Sequence, residues 1–151
     1  MRWFSSLFQA AAIVLILVGA SVAGEAPKFR VYLTAEETEG VPTGKPSTEF
    51  GCRDTVYAVV QATDLKLGSH VLEASWIDPQ RNQRERTRHP FEARQKATTM
   101  WVWLRLHPPT HAVVTGLFDP SAGMGEFIGD WTVRFYVDGK SVDKKSFNVL
   151  C

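Results

Sequence analysis

Neither sign of charge is in surplus in this sequence: 17 Lys and Arg stand against 16 Asp and Glu over 151 residues. A general nucleic-acid binder needs a strong positive excess to neutralise phosphates, so the balance argues against that class. Cysteine is nearly absent, with Cys52 and Cys151 alone. The patterns of common enzymes are missing as well: there is no Gly-x-Ser-x-Gly, no His-Glu-x-x-His and no phosphate-binding glycine loop. Gly123-Met124-Gly125 is too short for a nucleotide site and reads as permissive backbone. The chain is therefore read as non-enzymatic and as needing no cofactor. A sustained helical period is also lacking, which leaves strands as the building material.

At the N-terminus, Arg2 is the only charge before Glu25, an apolar stretch runs from Ala10 to Val18, and Ser21-Val22-Ala23 supplies small residues. This is the order of a secretory signal, and it predicts cleavage after Ala23. An uncleaved anchor is the alternative, but a spanning helix wants about 20 apolar residues. The expected product is a domain over 24–151, periplasmic or secreted, with 16 charges of each sign. An oxidising compartment predicts that Cys52 and Cys151 pair as a disulfide, the alternative being two free thiols. In the loop-entropy view, a bond closing about 100 residues contributes roughly 4.7 kcal/mol.

Beyond the signal the pattern has period two. Thr55 to Ala62 sets Val56, Ala58, Val60 and Ala62 on one face against Thr55, Tyr57 and Gln61. His70 to Ile77 turns Leu72, Ala74 and Trp76 inward, Asp78 to Gln83 supplies turn residues, and Arg84 to Phe91 returns as the hairpin partner. Thr98 to His107 carries Trp101, Trp103 and Arg105 on one side and Val102, Leu104 and Leu106 on the other, which predicts an interior strand with partly covered tryptophans. Pro108-Pro109 ends it, and His111 to Phe118 is a further short candidate. Gly129 to Val137 turns Trp131, Val133, Phe135 and Val137 inward. Asp138-Gly139 then suits a type I′ turn, and Ser141 to Cys151 pairs back with Phe147 and Val149 inside. A bulge is expected at Lys144-Lys145, because Val142 and Phe147 are out of phase. With Lys28 to Thr34, the count is seven or eight strands in one all-β domain.

The closing segment GDWTVRFYVDGKSVDKKSFNVLC, 129–151, resembles the last hairpin of bacterial exported domains with an immunoglobulin-like or fibronectin type III-like fold. The resemblance implies an immunoglobulin-like β-sandwich of antiparallel strands and no particular activity, since such folds host many functions.

Three groups of residues are candidates for contact. Arg84, Arg86 and Arg88 recur every second position, so on one strand face they could receive an anionic polysaccharide or an acidic protein; the competing reading is a charged edge strand. Trp101 and Trp103 beside Arg105 are either core cover or an aromatic platform for a sugar ring or a partner protein. Phe118, Met124 and Phe127 sit in a glycine-containing loop of the kind that makes contacts. His107 and His111 are four apart, but the intervening prolines bar the helix that would align them, so no metal site is expected. The functional expectation is an exported, non-enzymatic binding or assembly module that contacts a protein or anionic polysaccharide of the cell envelope. An accessory subunit of an envelope or redox complex is the alternative, and a small hydrolase a further one.

Overall fold

The computed structural model describes residues 25–108 and 124–151. The predicted signal segment, the candidate strand at 111–118, and Phe118 all lie outside the described residues. The described chain is all-β: β1 Lys28–Thr34, β2 Glu37–Thr38, β3 Val41–Pro42, β4 Glu49–Gly51, β5 Thr55–Thr63, β6 Gly68–Ile77, β7 Gln83–Ala93, β8 Thr98–Arg105, β9 Gly129–Val137 and β10 Lys140–Leu150. A three-stranded sheet has the order β1-β5-β8, a five-stranded sheet the order β4-β10-β9-β6-β7, and β2-β3 form a small ribbon. Seven or eight antiparallel strands were expected. The structure adds the short β2, β3 and β4, and β4 pairs with β10 in parallel.

The inward faces follow the alternation of the sequence. Val56, Ala58 and Val60 of β5, Leu72, Ala74 and Trp76 of β6, and Trp131, Val133 and Phe135 of β9 are buried in one cluster shared by both large sheets. Each fully buried Val, Leu or Phe side chain among them contributes about 1.5–3 kcal/mol by leaving water. At the cluster's centre Phe147 stacks on Trp131, with ring centroids 6.1 Å apart, and meets Phe50 edge-on at 5.4 Å and Trp76 edge-on at 6.2 Å. Asp138 and Gly139 have φ of 51° and 77°, the left-handed pair that a type I′ turn requires.

Three expectations need correction. The bulge in β10 falls between Ser141 and Asp143 rather than at Lys144-Lys145, and this shift restores the phase that brings Phe147 inward opposite Trp131. Among the described strands β8 lies at the edge of its sheet, because β6 and β7 pair within the other sheet and leave β8 paired with β5. Cys52 and Cys151 are free thiols, not a disulfide. They are nonetheless neighbours, for the parallel register sets Leu150 beside Gly51 and each cysteine is the residue immediately after its strand. Burial and a hydrogen bond with the Cys52 thiol push Cys151 up to about 11, although the terminal residue as a whole is exposed.

Candidate functional site

On the three-stranded sheet, the same pleat that buries Val56, Ala58 and Val60 turns Tyr57 and Val59 outward. Register sets Tyr57 opposite Trp103 on β8 and Thr34 on β1, and sets Val59 opposite Trp101 on β8 and Tyr32 on β1. Four aromatic rings thus share the outer face in two adjoining rows. Trp103 is 54% exposed, while Trp101, Tyr57 and Tyr32 are half-buried. Val59 faces the same way yet is 2% exposed and stands outside the core cluster. Cross-strand neighbours have Cβ atoms about 5 Å apart, which sets the Tyr57 and Trp103 side chains next to each other, whereas Val59 lies between Trp101 and Tyr32.

The ends of this face are cationic. Arg30 lies in the row of Gln61 and Thr99, Arg105 lies opposite Thr55, and Lys28 begins β1. Among the outward positions of β1, β5 and β8 there is no carboxylate. Arg30 and Arg105 form no ion pair among the described residues, whereas Lys28 bonds Glu25. Among the described residues, the outward positions of these strands offer aromatic rings, threonine hydroxyls and guanidinium groups without an ion-pair partner, and no carboxylate.

The arginine series on β7 is arranged differently. A register shift between Trp76 and Ile77, opposite Arg84, takes that residue out of phase with Arg86 and Arg88. Arg84 donates to Asp78 Oδ2 at 2.5 Å and to Glu126 Oε2 at 2.7 Å, beside Leu104 and Phe127. Asp78 is fully buried; burial would raise its carboxyl, but the Asn82 amide and Arg84 outweigh it and hold Asp78 below the usual carboxylate range. Arg86 donates to Glu73 Oε1 at 2.6 Å, and Arg88 lies 3.7 Å from the other oxygen of the same carboxylate. Arg84 thus stands out of row with Arg86 and Arg88, and β7 is the outer strand of its sheet among the described strands.

Met124 and Phe127 also turn inward. Phe127 is 6% exposed, meets Trp131 edge-on at 5.9 Å, and accepts the Trp131 indole N–H on its carbonyl at 2.7 Å; Met124 packs against the same core. They shape the core's end rather than a contact surface. His107 is exposed, its Nδ1 3.0 Å from the Arg105 carbonyl, and His111 lies outside the described residues. Among the described residues no three His, Cys, Asp or Glu side chains gather as metal ligands.

Sequence reasoning singled out Trp101 and Trp103 but missed Tyr32 and Tyr57 as their partners. The alternation in β5 already turned Tyr57 away from the core, and only the pairing of β5 with β8 brings it to Trp103.

No protein-family model matches the chain, and the search among curated proteins gives no match. Among solved structures the chain is similar to a Pseudomonas fluorescens alkylpurine DNA glycosylase, AlkC, bound to DNA containing an abasic site analogue, with TM-score 0.46 and 7% identity over 83% of this chain and 30% of that one. It is also similar to a Listeria innocua β-glucosidase in complex with glucose, with TM-score 0.44 and 12% identity over 82% of this chain and 16% of that one. The chain thus spans less than a third of either protein.

Proposed function

We propose that this chain is an exported, non-enzymatic binding module of immunoglobulin-like build that holds an acidic polysaccharide of the cell envelope against the outer face of β1, β5 and β8. The order β1-β5-β8 facing β4-β10-β9-β6-β7, joined by one core, supports the immunoglobulin-like reading. The observation that carries the function is the exposed Trp103 set beside Tyr57, Trp101 and Arg105 on a face without carboxylates. The C–H face of a pyranose ring lies on an indole because the ring's negative π face attracts polarised hydrogens. Guanidinium groups at the face's ends supply charge-assisted hydrogen bonds to a uronate carboxylate or a sulfate. The paired arginines of β7 offer less, since Glu73, Asp78 and Glu126 already occupy them.

Affinity electrophoresis through polygalacturonate, with neutral dextran as the comparison, tests this reading. The protein over 24–151 is expected to be retarded by the acidic polymer alone. Trp103→Ala and Arg105→Ser should each lower the affinity tenfold or more, while Arg86→Ser with Arg88→Ser leaves it within twofold. Equal retardation of the wild type and Trp103→Ala would refute the assignment, as would loss of retardation in the β7 variant.

A further inference from the structure

We infer that a separate cavity, at the end of the domain where β5 turns into β6 and β9 into β10, binds a free single-chain anionic amphiphile of the fatty-acid type. The cavity is about 770 Å³, and its apolar wall includes Phe29, Leu65, Leu67, Val137 and Val142. Leu67 is 66% exposed at its mouth, and Phe29 and Val142 are only partly buried, so apolar surface that folding did not cover remains available. A concave apolar wall with few polar groups is the usual form of a small-molecule site. Its charges are arranged unevenly. Glu25 is bonded by Lys28, and Asp138 is held by the His70 ring at 2.7 Å and the Val71 amide at 2.9 Å. That leaves Lys66, Lys96 and Lys140, none in an ion pair among the described residues, against the single carboxylate of Asp64. An alkyl chain against the apolar wall, with a carboxylate head among the lysines, satisfies both features at once. The site lies apart from the aromatic face and does not depend on the proposal made for it.

The experiment titrates laurate, below its micellar range, into the protein over 24–151, with dodecanol as the uncharged control, following the side-chain methyl resonances of Leu65, Leu67 and Val142. Laurate is expected to bind at one site and shift these methyls, and each methylene removed should weaken binding about fourfold. Replacing Lys66, Lys96 and Lys140 by Ala should weaken laurate tenfold or more and leave dodecanol unchanged. Leu67→Ser, at an exposed position that should leave folding intact, should weaken both ligands severalfold. The inference is overturned if laurate and dodecanol bind equally to the wild type, or if Trp103→Ala rather than Leu67→Ser removes the binding. Capture by phosphatidylglycerol vesicles without binding of free laurate would also overturn it, by pointing to a membrane surface. Failure here leaves the polygalacturonate result untouched.

Discussion

Phe147 is the side chain on which the core's geometry most depends, and Phe147→Ala is the sharpest test of it. The ring is 2% exposed and touches three aromatic neighbours, stacked on Trp131 and edge-on to Phe50 and Trp76. Deleting a buried phenylalanine side chain costs about 3–5 kcal/mol, from lost transfer energy and the cavity left behind. Aromatic pairs of this geometry add about 0.5–1.5 kcal/mol each beyond area. Because indole rings wall the space on two sides and collapse poorly, we expect the upper part of that range, about 4–5 kcal/mol. For a domain of this size that lowers Tm by about 15–20 °C. Phe147→Leu keeps most of the volume and should cost no more than about 1.5 kcal/mol. Urea unfolding followed by far-UV circular dichroism measures both, with the slope m expected to stay constant. Pairing Phe147→Leu with Phe50→Leu should reveal a coupling of about 0.5–1.5 kcal/mol. A loss below about 2 kcal/mol for the alanine variant, or equal losses for alanine and leucine, would refute the reasoning: the ring would not fill the space between the two sheets.

Other expectations concern charge and backbone. The Asp138 carboxylate and the Lys66 carbonyl each accept from a His70 ring nitrogen, which holds the ring's pKa above its ordinary 6.5. The stabilisation is therefore complete below the unfolded value near 6.5 and is lost as pH rises through the raised folded value, so the Tm gap between wild type and His70→Gln should narrow from pH 6 to pH 9. Burial would raise the Asp138 carboxyl, but the His70 ring and the Val71 amide hold it below the usual range, so on the acid side the same gap should narrow as pH falls below about 4. Arg84→Met leaves the buried Asp78 carboxylate without its cation and should cost about 1–3 kcal/mol in urea unfolding, discounted because Arg84 is 42% exposed; an effect below about 0.5 kcal/mol would contradict the assignment. Gly44→Ala would drive a Cβ into Thr34 Oγ1 and Glu36 Cβ, and should cost about 2 kcal/mol by the same assay, with Thr34, 1% exposed, forced to move.

Much of this protein was legible from local pattern. Strand faces followed from alternation: Val56, Leu72, Trp131 and Phe147 are buried as their positions in the pleat predict. The Asp138-Gly139 turn was equally local, since two adjacent residues must both reach positive φ and this pair does so at low cost. The arginines of β7 were read as one row because strict alternation was assumed, and a bulge is a non-local event that depends on how the partner strand is paired. The glycines two positions away on either side of Phe127 suggest an exposed contact residue, whereas it lies in a turn and is buried against Trp131 at the start of β9.

What the sequence by itself determined is the direction of each side chain along each strand, because the pleat sends successive residues to opposite faces whatever the strand lies beside. Only the tertiary structure decided which strands lie together. That choice set Tyr57 beside Trp103 and Tyr32 in the row of Trp101, left β8 at an edge among the described strands, ran β4 parallel to β10 so that two thiols without a disulfide meet, and set all three β7 arginines against carboxylates. The physical reason is that pairing is a contest among distant segments for the same hydrogen bonds and the same core. Its outcome depends on the sum of their burial rather than on any one segment's pattern.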